Sequence, residues 1–323
     1  MTGAVAARPA GLRNPFVAFT PRRQNIVLAL LTCALLPPIL TRLMPHWFNG
    51  SLVLVLAVGA STVTAAIALN VLMGYTGQIS LGHAALLGTG AFTSGLLTSK
   101  VGFPVPLGTI PGGQSMLIGI PAAALVGALV ALLIGFPALR LRGLYLAIAT
   151  IGFGYAMEQS IFRLQVFSRG SAGIELPRRV LGDRLLPLAD FLGLALVVVA
   201  VLWLLDENLV RSKLGRAFNA IRENEAVAQS FAVDVTRYKL LAFVISGAIG
   251  GVSGALYGHA LSFTNNEAFT FDQSLTLVII VVVGGLGSRL AVVLAAIAFT
   301  FMPHLLNDFL GVQAAWSIVV GAL

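Results

Sequence analysis

Residues 43–99 contain no Lys, Arg, Asp or Glu. A segment of that length would bring too little polar surface to water for a soluble fold, and it is not the only one. Residues 52–69, 116–136 and 145–162 are almost free of charge and approach the ~20 residues that a bilayer-spanning helix requires. Of the 323 residues, 58% are hydrophobic and 10% charged, against roughly 25% charged in an average soluble domain. The exterior therefore cannot be clothed in ionisable side chains. A soluble enzyme, a secreted disulfide scaffold and a disordered chain are all excluded. The fold class this implies is an all-α polytopic membrane protein.

Apolar segments fall at about 26–43, 51–73, 84–99, 116–137, 144–162, 191–206, 238–257, 273–288, 290–305 and 314–323. This predicts about ten transmembrane helices, with ten or fewer of them full crossings. Residues 314–323 are too short to span, so that segment either dips into the membrane or is truncated. Residues 1–25 read as a basic cytoplasmic segment and 26–323 as one transmembrane domain with a cytoplasmic loop at 207–238. No small-x-small cleavage site follows the first apolar run, so an anchored first span is expected rather than an export signal. Pro37 and Pro38, unable to donate backbone hydrogen bonds, should kink that span near one end.

Charge gives the orientation. All twelve acidic residues lie at or beyond Glu158, whereas residues 1–157 hold eight Lys or Arg. With the N-terminus cytoplasmic, thirteen of the twenty basic residues, among them Arg140, Arg142 and Arg289, fall on the cytoplasmic side. That agrees with the positive-inside rule. The basic balance then reports orientation and contact with anionic lipid headgroups rather than nucleic acid.

Chemistry of its own is scarce in this chain. The single cysteine, Cys33, cannot form an intrachain disulfide. Histidines 46, 83, 259 and 304 lack metal-ligand spacing, and no phosphate-binding G-x-x-x-x-G-K-[ST] loop is present. No cofactor is expected, and any ATP that drives the protein is hydrolysed by another polypeptide.

Three features suggest transport. The segment Gly74-Tyr-Thr-Gly-Gln-Ile-Ser-Leu-Gly-His83 is polar and glycine-rich between apolar helices. It is either a short surface turn or broken backbone held inside the bundle, where its polar groups must be buried in protein or line water. Gly77, Gln78, Ser80 and His83 are its candidates for a pathway lining, although a packing turn is the more frequent role for a lone His83. Glu158, read as the only ionisable group within a confident span, either lines the route or pairs with Arg163 near the boundary. An acid in a span avoids lipid, which would cost ~3 kcal/mol. Gly247, Gly250, Gly251, Gly254 and Gly258 recur at helical spacing and suit close helix packing.

The segment from Leu214 to Lys239 is amphipathic. Phe218, Ile221, Val227, Ala228 and Phe231 are expected on one helical face, with Arg222, Glu223 and Glu225 on polar positions. Such a piece packs on the protein itself, lies on the bilayer, or inserts into a groove on a soluble partner.

The 74–83 segment, the Arg140 and Arg142 pair before Gly143-Leu-Tyr-Leu-Ala-Ile-Ala-Thr150, the 215–243 segment and Gly284-Gly-Leu-Gly-Ser288 occur in this order. Together they closely resemble the branched-chain amino acid ABC transporter permease family, in particular its LivM-type subunits. The resemblance implies a multi-pass permease of a bacterial inner membrane, without a nucleotide site. Its implied partners are a second permease subunit, two cytoplasmic ATPase subunits and a periplasmic solute-binding protein. It further implies that Gly215, Arg216, Ala220, Arg222 and Glu225 lie in a coupling helix that contacts the ATPase.

The chain departs from the family pattern in places. Ala232 stands where glycine commonly ends the coupling turn, so a left-handed backbone would cost energy there. Arg289, Ala291, Val292 and Ala295 replace the usual continuation after Ser288, which implies a weaker helix break. Tyr155 stands where the family often has glutamate. Related permeases carry urea, short amides or sugars, which are the alternative substrates. An ion-gradient-driven secondary transporter is disfavoured, because it would need several intramembrane acids.

Overall fold

The computed structural model describes residues 23–43, 50–99, 102–105, 108–138, 143–168, 173–180 and 184–310. Most of the basic N-terminal segment, the Arg140 and Arg142 pair and the apolar segment 314–323 lie outside the described residues. The chain is built almost entirely from helices: α1 (Arg23–Leu43), α2 (Gly50–Leu69), α3 (His83–Thr98), α4 (Met116–Ala138), α5 (Leu144–Gln159), the single turn α6 (Gln165–Ser168), α7 (Leu188–Arg211), α8 (Lys213–Glu223), α9 (Glu225–Ser230), α10 (Val235–Leu261), α11 (Phe271–Val283) and α12 (Arg289–Leu310). Two small antiparallel pairs join loops, β1 (Phe103–Val105) with β2 (Gly108–Ile110) and β3 (Ile174–Glu175) with β4 (Phe263–Thr264).

The protein is an all-α membrane protein. Among the described residues, four helical stretches are long and apolar enough to cross a bilayer: Gly50–Tyr75, Met116–Pro137, Leu188–Arg211 and Val235–Leu261. The sequence expectation of about ten spans is therefore only partly matched. At 1.5 Å per residue, α3 and α5, each of 16 residues, and α11, of 13, are shorter than the ~30 Å hydrocarbon core.

α2 and α10 form the centre and are mostly buried, whereas α4 and α7 bury one side and leave the other open. That leaves Leu125, Leu129, Leu133 and Leu205 exposed, as a lipid-facing surface requires. Ser246 and Ser253 on α10 donate to the Ala68 and Ser61 carbonyls of α2 at 2.6 and 2.8 Å, pinning the two central helices together. An aromatic cluster of Phe92, Phe162, Phe269 and Tyr257 closes the far end of the bundle, with ring centroids 5.0–6.4 Å apart.

At Arg289, Ala291, Val292 and Ala295 the helix is unbroken, and the turn lies before them. α11 stops at Val283 and α12 begins at Arg289. Gly285 and Gly287 adopt φ of +90° and +86°, a conformation that glycine takes without steric cost, and these two residues suffice for the turn.

Candidate functional site

The 74–83 segment is broken backbone held inside the bundle. α2 widens into a π-helix over Asn70–Tyr75, a form frequent at functional sites, and the helix ends there. Gln78, Ser80 and His83 are buried, while Gly77 and Ile79 are exposed. The backbone groups released by the break find local and distant partners, as buried backbone must. The Thr76 hydroxyl and the Gln78 N–H both donate to the Leu72 carbonyl, at 2.6 and 3.2 Å. The Leu81 N–H donates to Thr150 Oγ1 on α5 at 3.0 Å, and the Ala84 N–H to Ser274 Oγ on α11 at 2.9 Å. Gln78 Nε2 donates to Thr76 Oγ1 at 2.8 Å and to the Lys239 carbonyl at 3.4 Å. His83 opens α3 fully buried, neither ring nitrogen having a partner among the described residues, beside Gly250 of α10.

The amphipathic segment is two short helices rather than one. Ser212 caps α8 by accepting from the Leu214 and Gly215 N–H groups. Asn224 then interrupts the helix with φ −161° and caps α9 by accepting from Ala226 and Val227. This interruption resets the helical phase, so the single apolar face expected from spacing divides. Phe218, Ile221 and Ala228 are buried, whereas Val227 is 50% exposed and Phe231 79% exposed. Gly215 is buried where a Cβ would lie 2.3 Å from the Val210 carbonyl oxygen, which permits the tight α7–α8 corner. Ala220 packs beside Ile221, Ala228 and Val235. Arg216 is exposed and donates to the Arg211 carbonyl at 3.3 Å. Ala232 ends α9 left-handed at φ +59°, the geometry that costs an alanine about 1 kcal/mol.

Arg222 and Glu225 point back into their own subunit. The Arg222 guanidinium donates to the Gly74 carbonyl inside the π-helix, with its stem against Gly77. Glu225 forms an ion pair with Lys239, whose carbonyl receives Gln78. The α8–α9 segment thus holds the break from two directions.

A second network at this end escaped sequence reasoning. Asp206 on α7 is 2% exposed and accepts from the Tyr75 hydroxyl at 2.8 Å. Arg289 Nε lies 3.6 Å from the same Asp206 oxygen, and its guanidinium stacks 5.6 Å from the centre of the Trp203 ring. Asn70 Oδ1 accepts from the Gly287 N–H at 2.9 Å. Glu158 is therefore not the only ionisable group within a span: α7 runs on to Arg211 and takes Asp206 inside it. Glu158 itself is half-buried at the end of α5 and accepts from Gln159 Nε2 at 3.3 Å; among the described residues it makes no ion pair with Arg163. The signal for Asp206 was present, an acid directly after Leu204 and Leu205, but its partners were not.

The glycines of α10 serve two neighbours. Gly247 and Gly251 face Gly127 and Ala123 of α4, Gly250 and Gly254 face α3, and Gly258 meets Leu176. A Cβ at Gly254 would stand 1.7 Å from the Leu87 carbonyl oxygen, so no larger residue fits there.

Residues 51–323 match the family described as branched-chain amino acid transport system / permease component. The chain belongs to that permease family. The permease is 34% identical over 270 residues to the high-affinity branched-chain amino acid transport system permease protein LivM of Salmonella typhimurium, covering 75% of this chain and 60% of that relative. It is 24% identical over 220 residues to the probable LivM of Methanocaldococcus jannaschii, covering 66% and 62% of the two chains. The nucleoside ABC transporter permease protein NupC of Lactococcus lactis is 26% identical over 201 residues, or 58% and 60%. The permease thus spans about 60% of the length of the curated relatives it matches. No solved structure matches it significantly.

Proposed function

We propose that this permease is a translocation subunit of an ATP-driven importer of branched-chain amino acids in a bacterial inner membrane. The observation that carries the reading is the 34% identity to LivM over three quarters of the chain. In this reading a second permease subunit completes the pathway, a periplasmic solute-binding protein delivers the substrate, and two ATPase subunits supply the hydrolysis. The N-terminus and the α8–α9 segment lie on the cytoplasmic side.

The geometry suggests how force is passed. Val227 and Phe231 form an apolar tip open to a cytoplasmic partner, the kind of anchor that fills a groove. When the ATPase pair closes on nucleotide, α8 and α9 move with it. Arg222 then pulls on Gly74 and Glu225 on Lys239, shifting the α2–α3 break and α10 together. This is a rigid-body switch between inward- and outward-open states.

Liposomes holding the complete assembly should take up leucine when ATP is supplied, and liposomes holding this chain alone should not. Gradient-driven leucine uptake by the single subunit would overturn the reading. Phe231→Ser should reduce recovery of the ATPase with the purified permease while leaving permease yield unchanged. The likeness to a nucleoside permease makes nucleoside the control substrate: uptake of nucleoside instead of leucine by the assembly would favour that second reading.

A further inference from the structure

A cavity of about 110 Å³ lies between α2, α3, α10 and α11, lined by Ser61, Thr62, Ser253, Tyr257, Gln273 and Thr276 on its polar side. At about 30 Å³ per water, it is the size of a small solute group rather than of one solvent molecule. None of the residues lining it is charged.

The serine and threonine hydroxyls of this lining are one-sided. A hydroxyl has one proton to donate and two lone pairs. Here the protons are already spent on helix carbonyls: Ser61 Oγ and Thr62 Oγ1 donate to Val58 O at 2.7 and 3.1 Å. Ser253 Oγ donates to Ser61 O at 2.8 Å and Thr276 Oγ1 to Asp272 O at 3.0 Å. What these four groups have left to offer is lone pairs. Gln273 Oε1 is buried without a partner and adds another acceptor. A group rich in donors satisfies these hydroxyls and the Gln273 oxygen, and a group rich in acceptors does not. The opposite wall is apolar: Ala65, Leu87, Leu277 and Ile280.

Resting on the transport reading above, we propose that this cavity is a subsite for the ammonium group of an aliphatic amino acid. Three N–H donors released from water meet the hydroxyl lone pairs, and the aliphatic side chain lies against the leucines and isoleucine. Tyr257 Oη and Gln273 Nε2 are the remaining side-chain donors for the carboxylate.

The test is protection of an introduced thiol in the full-length permease. Thr276→Cys is placed in a Cys33→Ser background and labelled with a cationic aminoethyl methanethiosulfonate. Leucine and valine should slow the labelling at least threefold, whereas 4-methylpentanoate, which lacks the ammonium group, should not. Equal protection by 4-methylpentanoate, equal protection by sodium or potassium chloride, or no protection by any solute would overturn the proposal. A second arm measures ATP-driven leucine uptake by the complete assembly. Thr62→Val with Thr276→Val should lower the rate at least fivefold, and Thr276→Ser should retain it; an unchanged rate in the double variant counts against the subsite. A parent assembly that moves no leucine, while leucine still protects the Thr276→Cys thiol, would reject the transport reading and keep the subsite. Uptake without protection would do the reverse.

Discussion

The α8–α9 end of the bundle and its middle are joined by different kinds of contact. At the α8–α9 end, helices meet through charged groups: Arg222 on the Gly74 carbonyl, Glu225 on Lys239, and Asp206 between Tyr75 and Arg289. In the middle, α10 meets α3 and α4 through glycines with backbone against backbone, and α2 through serine hydroxyls. Backbone contacts of that closeness act over very short distances and resist sliding. Charge-assisted hydrogen bonds are stronger individually and tolerate rearrangement, because a guanidinium or carboxylate can exchange one acceptor or donor for another. The contrast assigns rigidity to the middle and adjustability to the end where a partner would push.

The largest expected effect breaks the rigid half. Gly254→Val places a branched side chain where a Cβ already stands 1.7 Å from Leu87 O. It should destabilise by more than about 3 kcal/mol, the upper part of the range for overpacking, and abolish the monodisperse peak in mild detergent.

Next in size is the buried carboxylate. Asp206→Ala removes the acceptor of the Tyr75 hydroxyl and the nearer of two carboxylates beside Arg289, the other being Glu207 at 4.0 Å, and should cost about 2–3 kcal/mol. Thermal unfolding of Asp206→Leu, Arg289→Met and the double variant sharpens the point. The double variant should lose clearly less than the sum of the two, because it removes both charges of the pair while Glu207 keeps Arg211 as its partner.

Arg222→Gln probes adjustability itself. It should cost about 1 kcal/mol in stability, since the arginine is largely exposed and its bond is one among several. Transport driven by ATP should fall about tenfold, with faster amide exchange at Gly74 and Tyr75. Equal exchange in parent and variant would mean that Arg222 does not hold the break. The smallest effect is a gain: Ala232→Gly relieves a left-handed alanine and should raise stability by up to about 1 kcal/mol, read as a higher melting temperature with transport unchanged.

Much of the helical architecture was legible in the sequence. The uncharged runs marked α2, α4, α7 and α10, and the four-residue glycine spacing marked α10 as a helix made for close approach. The polar interruption at 74–83 was visible as well, but not its location, since surface turns and buried breaks use the same glycines and small polar residues. The helical character of the amphipathic segment was legible and its face was not. Asn224 divides it, and a helical projection drawn through a cap assigns Val227 and Phe231 to a buried side that they do not share.

Hydrophobic runs, caps and glycine spacing act over a few residues, so the order of residues by itself determined where most of the helices form and which four are long and apolar enough to cross a bilayer. Tertiary structure alone decided that Asp206 serves Tyr75, 131 residues away, that Arg222 reaches Gly74, 148 residues away, and that hydroxyls from α2, α10 and α11 line one cavity. Those pairings depend on which helix faces are brought together by packing, and no local pattern encodes the partner of a polar group once the chain has folded it inside.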